Sequence, residues 1–387
     1  MIRNISIGID VGSTATRVIV GEFTKGEQNP KIIGVGEAFT HGVRNGYVTD
    51  PTLTATSIRE AVAGAEKTSG IKIKRAFVGV GGISLRGDAG NGMTIISKAD
   101  GEVTGTDIKN AMLDCENNLN LTNRKMLGGF PVSYRLDGKD VQGRLEGMRG
   151  TKLEIKAIFI TCSLQHLEDL LEAMSLADIE PIDIIPAPLA ASLIALSERQ
   201  KIVGSALVNI GSETTSIAVF ENALLVSLQT FSIGSEEITN DIALGLKITL
   251  DKAENLKLGE ASENFSKKKL DEIIGARLSD IFELIENHLK KIKRSGLLPA
   301  GVVFVGGGAN TPLLLEFSKS SLNLPSSIGV TEIFGNMKTK LRNPSWFTVL
   351  GLLFGSTGEN NNYNNSFTRL FKDLKNAIKS TVKQLMP

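Results

Sequence analysis

The 387-residue chain has only two cysteines, Cys115 and Cys162. They lie far apart and form no CxxC pair or metal spacing, which excludes a disulfide framework and fits a reducing cytosol. Histidine is nearly as scarce: His41, His166 and His288 are scattered and build no metal or catalytic set. No apolar run reaches about 18 residues, so no transmembrane helix is expected. Neither sign of charge dominates. The net charge is +1, which excludes a general field for nucleic acid. The opening "MIRNISIGID" enters a strand at once and predicts no signal peptide. The single tryptophan, Trp346, is expected to pack beside a closing strand.

What is present is an ordinary globular composition, 41% apolar and 22% charged. The length calls for two or more subdomains. From the N-terminus, "NISIGID", "TRVIVGEF" and "KIIGVGEAF" predict three strands rich in β-branched residues. "DPTLTATSIREAVAGAEKTSG" predicts a helix with Asp50 as N-cap, Pro51 at the first helical position and Gly70 as the stop. "KRAFVGVGG" follows as a buried strand, giving an α/β layer. Residues 84–156 differ. Short strands and turns surround one helix, "TGTDIKNAMLDCENN", with Thr106 or Asp107 as cap, so a small α+β domain is inserted here. The α/β pattern resumes with "KAIFITC". From residue 204, "GSALVNIGSETTSIAVFENALLVSLQTFSIG" repeats the opening order of strand, hydroxyl-rich turn, strand, turn and strand, so the fold itself is duplicated. The expected organisation is a first α/β domain over 1–83 and 157–203, the insert over 84–156, and a second α/β domain over 204–355 with a helical region at about 236–298. A polar, Asn-rich linker over 356–365 leads to a terminal helix over 366–387.

Three turns carry the chemistry. In "DVGSTATR", Gly12 lets backbone approach a ligand, and Ser13 and Thr14 add donors. A nest of this kind suits phosphate oxygens. Arg17, on the returning strand, is placed to meet the same phosphates. Asp10 cannot face a phosphate directly, and its natural partner is a hydrated Mg2+. Alone, this turn reads equally well as an ordinary glycine hairpin. The second copy, "NIGSETTS", supplies Asn209, Gly211, Ser212, Glu213, Thr214 and Thr215, so that two hairpins can clamp one polyphosphate from both sides. Gly306, Gly307 and Gly308 follow a buried strand in "VFVGGGAN", where bare backbone can lie against a purine or ribose.

These elements, in this order, resemble the phosphate 1, phosphate 2 and adenosine motifs of the actin/Hsp70/hexokinase ATPase superfamily. Within it, "IIGVGEAFTHGVRNGYVTD" followed by a helix, and "RAFVGVGGISLRG" leading into an insertion, resemble the FtsA family of bacterial cell-division proteins. The resemblance covers roughly residues 5–355. It implies two actin-like (ribonuclease H-like) domains around a nucleotide cleft, with an SHS2-type insert. It implies ATP and Mg2+ as ligands, with Asp10 reaching the metal through water. "DKAENLK" resembles the superfamily's Ala-Glu…Lys segment, which implies Glu254 at the ribose hydroxyls and Lys257 near the base; an exposed i, i+3 pair on any helix looks the same. It further implies filament formation, binding of the FtsZ C-terminal peptide, contacts with other division proteins, and a peripheral place on the inner face of the cell membrane.

Two departures bear on catalysis. Family members carry two carboxylates in phosphate loop two, where this chain has Asn209 and Ser216. Ala187 stands where related ATPases place a Glu or Gln that positions water. Nucleotide binding with slow or absent hydrolysis is therefore expected. The competing readings are an active ATPase or phosphotransferase on the same scaffold and a peptide-binding scaffold like the pilus-assembly protein PilM.

In the terminal segment, Phe367, Leu370, Phe371, Leu374, Ile378, Val382 and Leu385 share one helical face. Arg369, Lys372, Lys375, Lys379 and Lys383 occupy the other, with Asp373 the one acid. Apolar anchors opposite a cationic face describe a helix lying in an anionic membrane interface, each cation adding about 1 kcal/mol. A terminal helix docked on the body, or a calmodulin-type partner helix, is the bland alternative.

Overall fold

The computed structural model describes residues 4–24, 29–141, 143–259, 265–334 and 339–355. The linker 356–365 and the proposed membrane helix 366–387 lie outside the described residues. Among the described residues, no helix is long and apolar enough to cross a membrane.

Two five-stranded sheets share one topology. The first runs Glu180–Pro186, Arg75–Val80, Asn4–Val11, Ala15–Phe23, Lys31–Phe39. The second runs Ser326–Ile328, Val302–Val305, Ser205–Ile210, Thr215–Glu221, Leu224–Phe231. In each, the first strand of a lobe pairs antiparallel with the strand that follows it and parallel with a later one. The duplication read in the sequence is thus a duplication of sheet order and strand direction.

Alternation along the second sheet explains its place in the molecule. Ala206, Val208, Ile217 and Val219 face one way, into a core closed by the helix Lys267–Lys291 through Leu278, Ile281 and Phe282. Leu207, Ala218 and Val303 face the other way, into the core that also holds Ile9, Val18 and Val78 of the first sheet. Successive strand residues point to opposite faces, so the three central strands, Ser205–Ile210, Thr215–Glu221 and Val302–Val305, are buried on both sides and read as largely apolar runs. Two short apolar helices, Ala187–Ala195 and Phe347–Leu352, sit in the shared core between the sheets. Trp346 is buried in a turn that leads into the second of these helices, where the sequence suggested a strand.

The helix Pro51–Ser69 forms with the predicted ends. Asp50 accepts from the amides of Thr52 and Leu53, and Gly70 closes it in the left-handed region at φ 71°. The inserted domain's helix, Gly105–Asn117, is capped differently from expectation. Thr104 is the N-cap and Asp107 is the N3 residue of a capping box: the Thr104 hydroxyl accepts from the Asp107 amide, and the Asp107 carboxylate takes the Thr104 amide at 2.8 Å. A second amide, of Ser97, also donates to that carboxylate, and these donors hold it down to about 2 against the opposing effect of burial.

The insert's sheet runs Arg86–Ile95, Lys152–Ser163, Arg124–Leu136, Lys139–Val141. Lys152–Ser163 passes unbroken through residue 156. The "KAIFITC" run therefore pairs with the insert's strands rather than reopening the first sheet. Its two faces serve two cores. Leu153, Ile155 and Phe159 pack in the insert, while Ile158, Ile160 and Cys162 join the first lobe.

Candidate nucleotide cleft

The two hairpins close in the same way. Gly12 N–H donates to the Ala15 carbonyl at 3.2 Å, and Gly211 N–H donates to the Thr214 carbonyl at 2.8 Å. Their registers correspond. Asp10 lies across from Arg17, and Asn209 lies across from Ser216. The second hairpin therefore replaces both members of a charged cross-strand pair by neutral polar residues.

A cavity of about 660 Å3 opens between them. Its wall includes Asp10, Gly12, Ser13, Thr14 and Arg17 from the first hairpin and Asn209, Gly211, Ser212, Thr214 and Ser216 from the second. Gly306, Gly307, Glu254, Lys257 and Ala187 complete the set that sequence reasoning picked out on the wall. The size suits a nucleoside triphosphate, within the range of about 300–1,000 Å3 for ligand sites.

Three expected ligand residues are placed off this wall. The Thr215 hydroxyl is buried and donates to the Ile233 carbonyl at 2.8 Å, bracing the hairpin against the turn that follows the strand Leu224–Phe231. Gly308 is buried: a Cβ there would lie 2.4 Å from Ile210 Cγ2, so the glycine is needed for packing. The Glu213 carboxylate accepts from the Asn45 amide of the other lobe at 2.6 Å. The remaining two glycines of that turn divide the work. A Cβ on Gly306, whose φ is 86°, would lie 2.3 Å from Asn209 Oδ1, whereas one on Gly307 would meet nothing within 4 Å. Gly306 lets the turn press on the second hairpin, and Gly307 leaves room in the cleft.

The electrostatics of the wall are uneven. Burial pushes the Asp10 carboxyl up to about 6, and the Arg17 guanidinium pulls only partly against it. Among the described residues no group donates a hydrogen bond to Asp10. A carboxylate desolvated in this way fits a hydrated divalent cation, which would supply the missing positive charge. Among the described residues, no three His, Cys, Asp or Glu side chains gather as a metal set. Arg17 is held back: its Nε donates to Glu37 at 2.9 Å and its guanidinium lies 5.3 Å from the centre of the Trp346 ring.

Glu254 and Lys257 meet each other at 2.7 Å, one helical turn apart on Leu250–Lys257. Lys257 is buried, unlike the solvated pair any helix can carry. Its ammonium also donates to Thr239 Oγ1 at 2.8 Å and the Ser235 carbonyl at 3.1 Å. Glu254 remains half-exposed toward the cavity. Ala187 opens the helix Ala187–Ala195 and presents only a methyl to the cleft.

Sequence reasoning missed wall residues contributed by the helical region, among them Ser235, Glu236, Thr239 and Asp251. The helix Ser235–Leu246 starts against the second hairpin. Its first two amides donate to the Gly211 and Ser212 carbonyls, and Glu236 accepts from the Ser212 hydroxyl at 3.0 Å. A signal existed in "SIGSEE", where glycine precedes a helix start with acids in its first turn, but nothing local says which turn it docks on.

Comparison with known proteins agrees with this geometry. The family profile described as "Cell division protein FtsA" matches residues 206–351. The one described as "SHS2 domain inserted in FTSA" matches residues 82–161. The chain is 32% identical to the cell division protein FtsA of Bacillus subtilis (strain 168) over 370 residues, covering 90% of this chain and 82% of that protein. It is 27% identical to FtsA of Pseudomonas aeruginosa over 369 residues, covering 90% and 88%. Among solved structures, the PilM-PilN type IV pilus biogenesis complex superposes with a TM-score of 0.67 at 15% identity, over 90% of this chain and 97% of that one. MreB5 of Spiroplasma citri bound to AMPPNP superposes at 0.52 and 13% identity, over 97% and 99%. At these identities the structural likenesses show an actin-like fold and nothing narrower. The sustained identity over most of the length of these relatives goes further: the chain is an actin-like homologue that belongs to the FtsA family of cell-division proteins.

Proposed function

We propose that the interlobe cleft binds ATP with Mg2+ and hydrolyses it slowly or not at all, so that nucleotide acts as a conformational ligand. The observation that carries this reading is the pair of hairpins with matching turns on one cavity, Gly12 and Gly211 on its wall. MreB5 of the same fold is a protein bound to AMPPNP. Ser13, Thr14, Ser212 and Thr214 would orient phosphate oxygens, Asp10 would hold Mg2+ through water, and Gly307 would admit the nucleoside. Glu254 and Lys257 form the wall beside it. When bound, Mg2+ neutralises phosphate charge. Asn209 brings no charge to the metal and Ala187 no water-positioning group, which favours binding over turnover.

On this reading the chain assembles with further copies of itself and receives the FtsZ C-terminal peptide. Its segment 366–387 rests on the anionic inner face of the cell membrane, with Phe367, Leu370, Phe371, Leu374, Ile378, Val382 and Leu385 as anchors. One such helix gives reversible attachment, and polymerisation strengthens it through avidity. The test is co-sedimentation of the full chain, and of a chain ending at residue 365, with liposomes containing anionic lipid, with and without ATP. The full chain is expected to pellet and the shortened one to stay in solution. Equal pelleting of both refutes the tail assignment, and calorimetry that stays flat with ATP and Mg2+ refutes the cleft assignment.

A further inference from the structure

A small hairpin of the first lobe reaches the second lobe at the wall of the cleft, where Gly46 lines the cavity. Val43–Arg44 pairs with Tyr47–Val48, and Asn45 and Gly46 form the two-residue turn with φ of 51° and 70°. Two successive positive φ values are the signature of the tight turn that suits a twisted hairpin, and they explain the Asn-Gly sequence. The hairpin is seated on the first lobe at its turn and along its second strand. A Cβ on Gly46 would lie 2.6 Å from Gly82 Cα, and the Tyr47 ring packs 4.7 Å from the buried His166 ring.

The tip touches both phosphate-facing turns through adjacent peptide groups. Asn45 N–H donates to Glu213 Oε2 of the second turn at 2.6 Å, and Gly46 N–H donates to Ser13 Oγ of the first at 3.2 Å. Ser232 of the second lobe donates to Asn45 Oδ1 at 3.3 Å. Glu213 is not on the cavity wall, although Ser212 and Thr214 on either side of it are. A carboxylate in a turn built for phosphates would repel them; here it is directed away and committed to the opposite lobe.

From this geometry we infer that Glu213 is a positioning residue: its hydrogen bond to Asn45 is a strut that sets the separation of the two turns and so their joint grip on a polyphosphate. The inference deepens the nucleotide reading and rests on it for the ligand. The strut itself is a property of the protein alone. Because a charge-assisted bond to a backbone amide is involved, its loss is expected to weaken triphosphate binding about tenfold. AMP, which lacks the β- and γ-phosphates shared by the turns, should bind unchanged.

The experiment uses the full chain with Glu213→Ala and Glu213→Gln. Hydrogen exchange at the Asn45 amide, without nucleotide, is expected to be slow in the wild type and in Glu213→Gln, whose amide oxygen still accepts, and fast in Glu213→Ala. MgATP affinity should follow the same order while AMP affinity stays level. An unprotected Asn45 amide in the wild type overturns the strut. So does tighter MgATP binding in both variants, since that would place the carboxylate beside the phosphates. An equal loss for AMP and ATP also overturns it, by showing general damage. If the wild type binds no nucleotide, the cleft reading fails, and the exchange comparison still decides the strut.

Discussion

Asp10 lies directly across the first hairpin from Arg17, yet the guanidinium closes on Glu37 of the neighbouring strand at 2.9 Å. The carboxylate is left desolvated and raised from its ordinary 3.8 to about 6. Since the folded carboxyl holds its proton to higher pH than the unfolded one, the ionised group opposes folding. That penalty is absent below about pH 4, grows as pH rises toward 6, and is constant above. Asp10→Asn should therefore melt higher than the wild type at pH 7.5 without Mg2+, and the gap should vanish at low pH. The same variant should lose the Mg2+ dependence of ATP affinity. Melting curves and calorimetry at two pH values check both, and an unchanged melting point at pH 7.5 counts against the desolvated carboxylate.

If the cleft binds nucleotide with little turnover, as proposed, adding a carboxylate and a water-orienting group should raise turnover. Asn209→Asp adds the second carboxylate beside the cleft, and Ala187→Gln adds a group able to orient water. Phosphate release from MgATP is expected to rise by about 10²-fold in the double variant. Turnover in the wild type equal to that of the double variant would count for the ATPase reading.

The glycine turn separates packing from ligand space. Gly306→Ala places a Cβ 2.3 Å from Asn209 Oδ1 at φ 86° and ψ 175°, a region open to glycine alone. It should destabilise the fold by about 2–4 kcal/mol. Gly307→Ala meets open space and should change stability by less than about 0.5 kcal/mol, while intruding on the cavity and weakening ATP binding. Denaturant melts and calorimetry on the two variants separate these effects, and equal stability losses would refute the division.

Trp346 offers an intrinsic probe, being the one tryptophan of the chain. Arg17 lies 5.3 Å and Lys340 lies 4.8 Å from its ring centre. A polyphosphate that draws Arg17 from Glu37 should give a saturable change in tryptophan emission on MgATP addition. Arg17→Ala should abolish that change, and a spectrum unmoved in the wild type would show that Arg17 stays with Glu37.

Much of this was legible in the sequence because the signals are local. The paired phrases around Gly12 and Gly211 announce hairpins, and β-branched runs announce strands buried on both faces. Asp50, Pro51 and Gly70 delimit a helix through hydrogen bonds made within a few residues. The capping of Gly105–Asn117 was misplaced by two or three residues. Thr104, Thr106 and Asp107 are all competent caps; starting the helix after Thr104 puts Asp107 at N3, where its carboxylate closes the box on the Thr104 amide and also takes the Ser97 amide.

What the chain determined by itself, then, is the inventory: the duplicated sheets, the three turns, and the absence of charge at Asn209 and of any polar group at Ala187. Those follow from residue type and short-range spacing. Which side chains reach the cleft was decided by tertiary structure alone. Glu213 turns to Asn45, Arg17 to Glu37, and Lys257 inward to Thr239 and Ser235. Each of these partners lies on another element, and a hydrogen bond across elements depends on how they are packed, which no local pattern encodes.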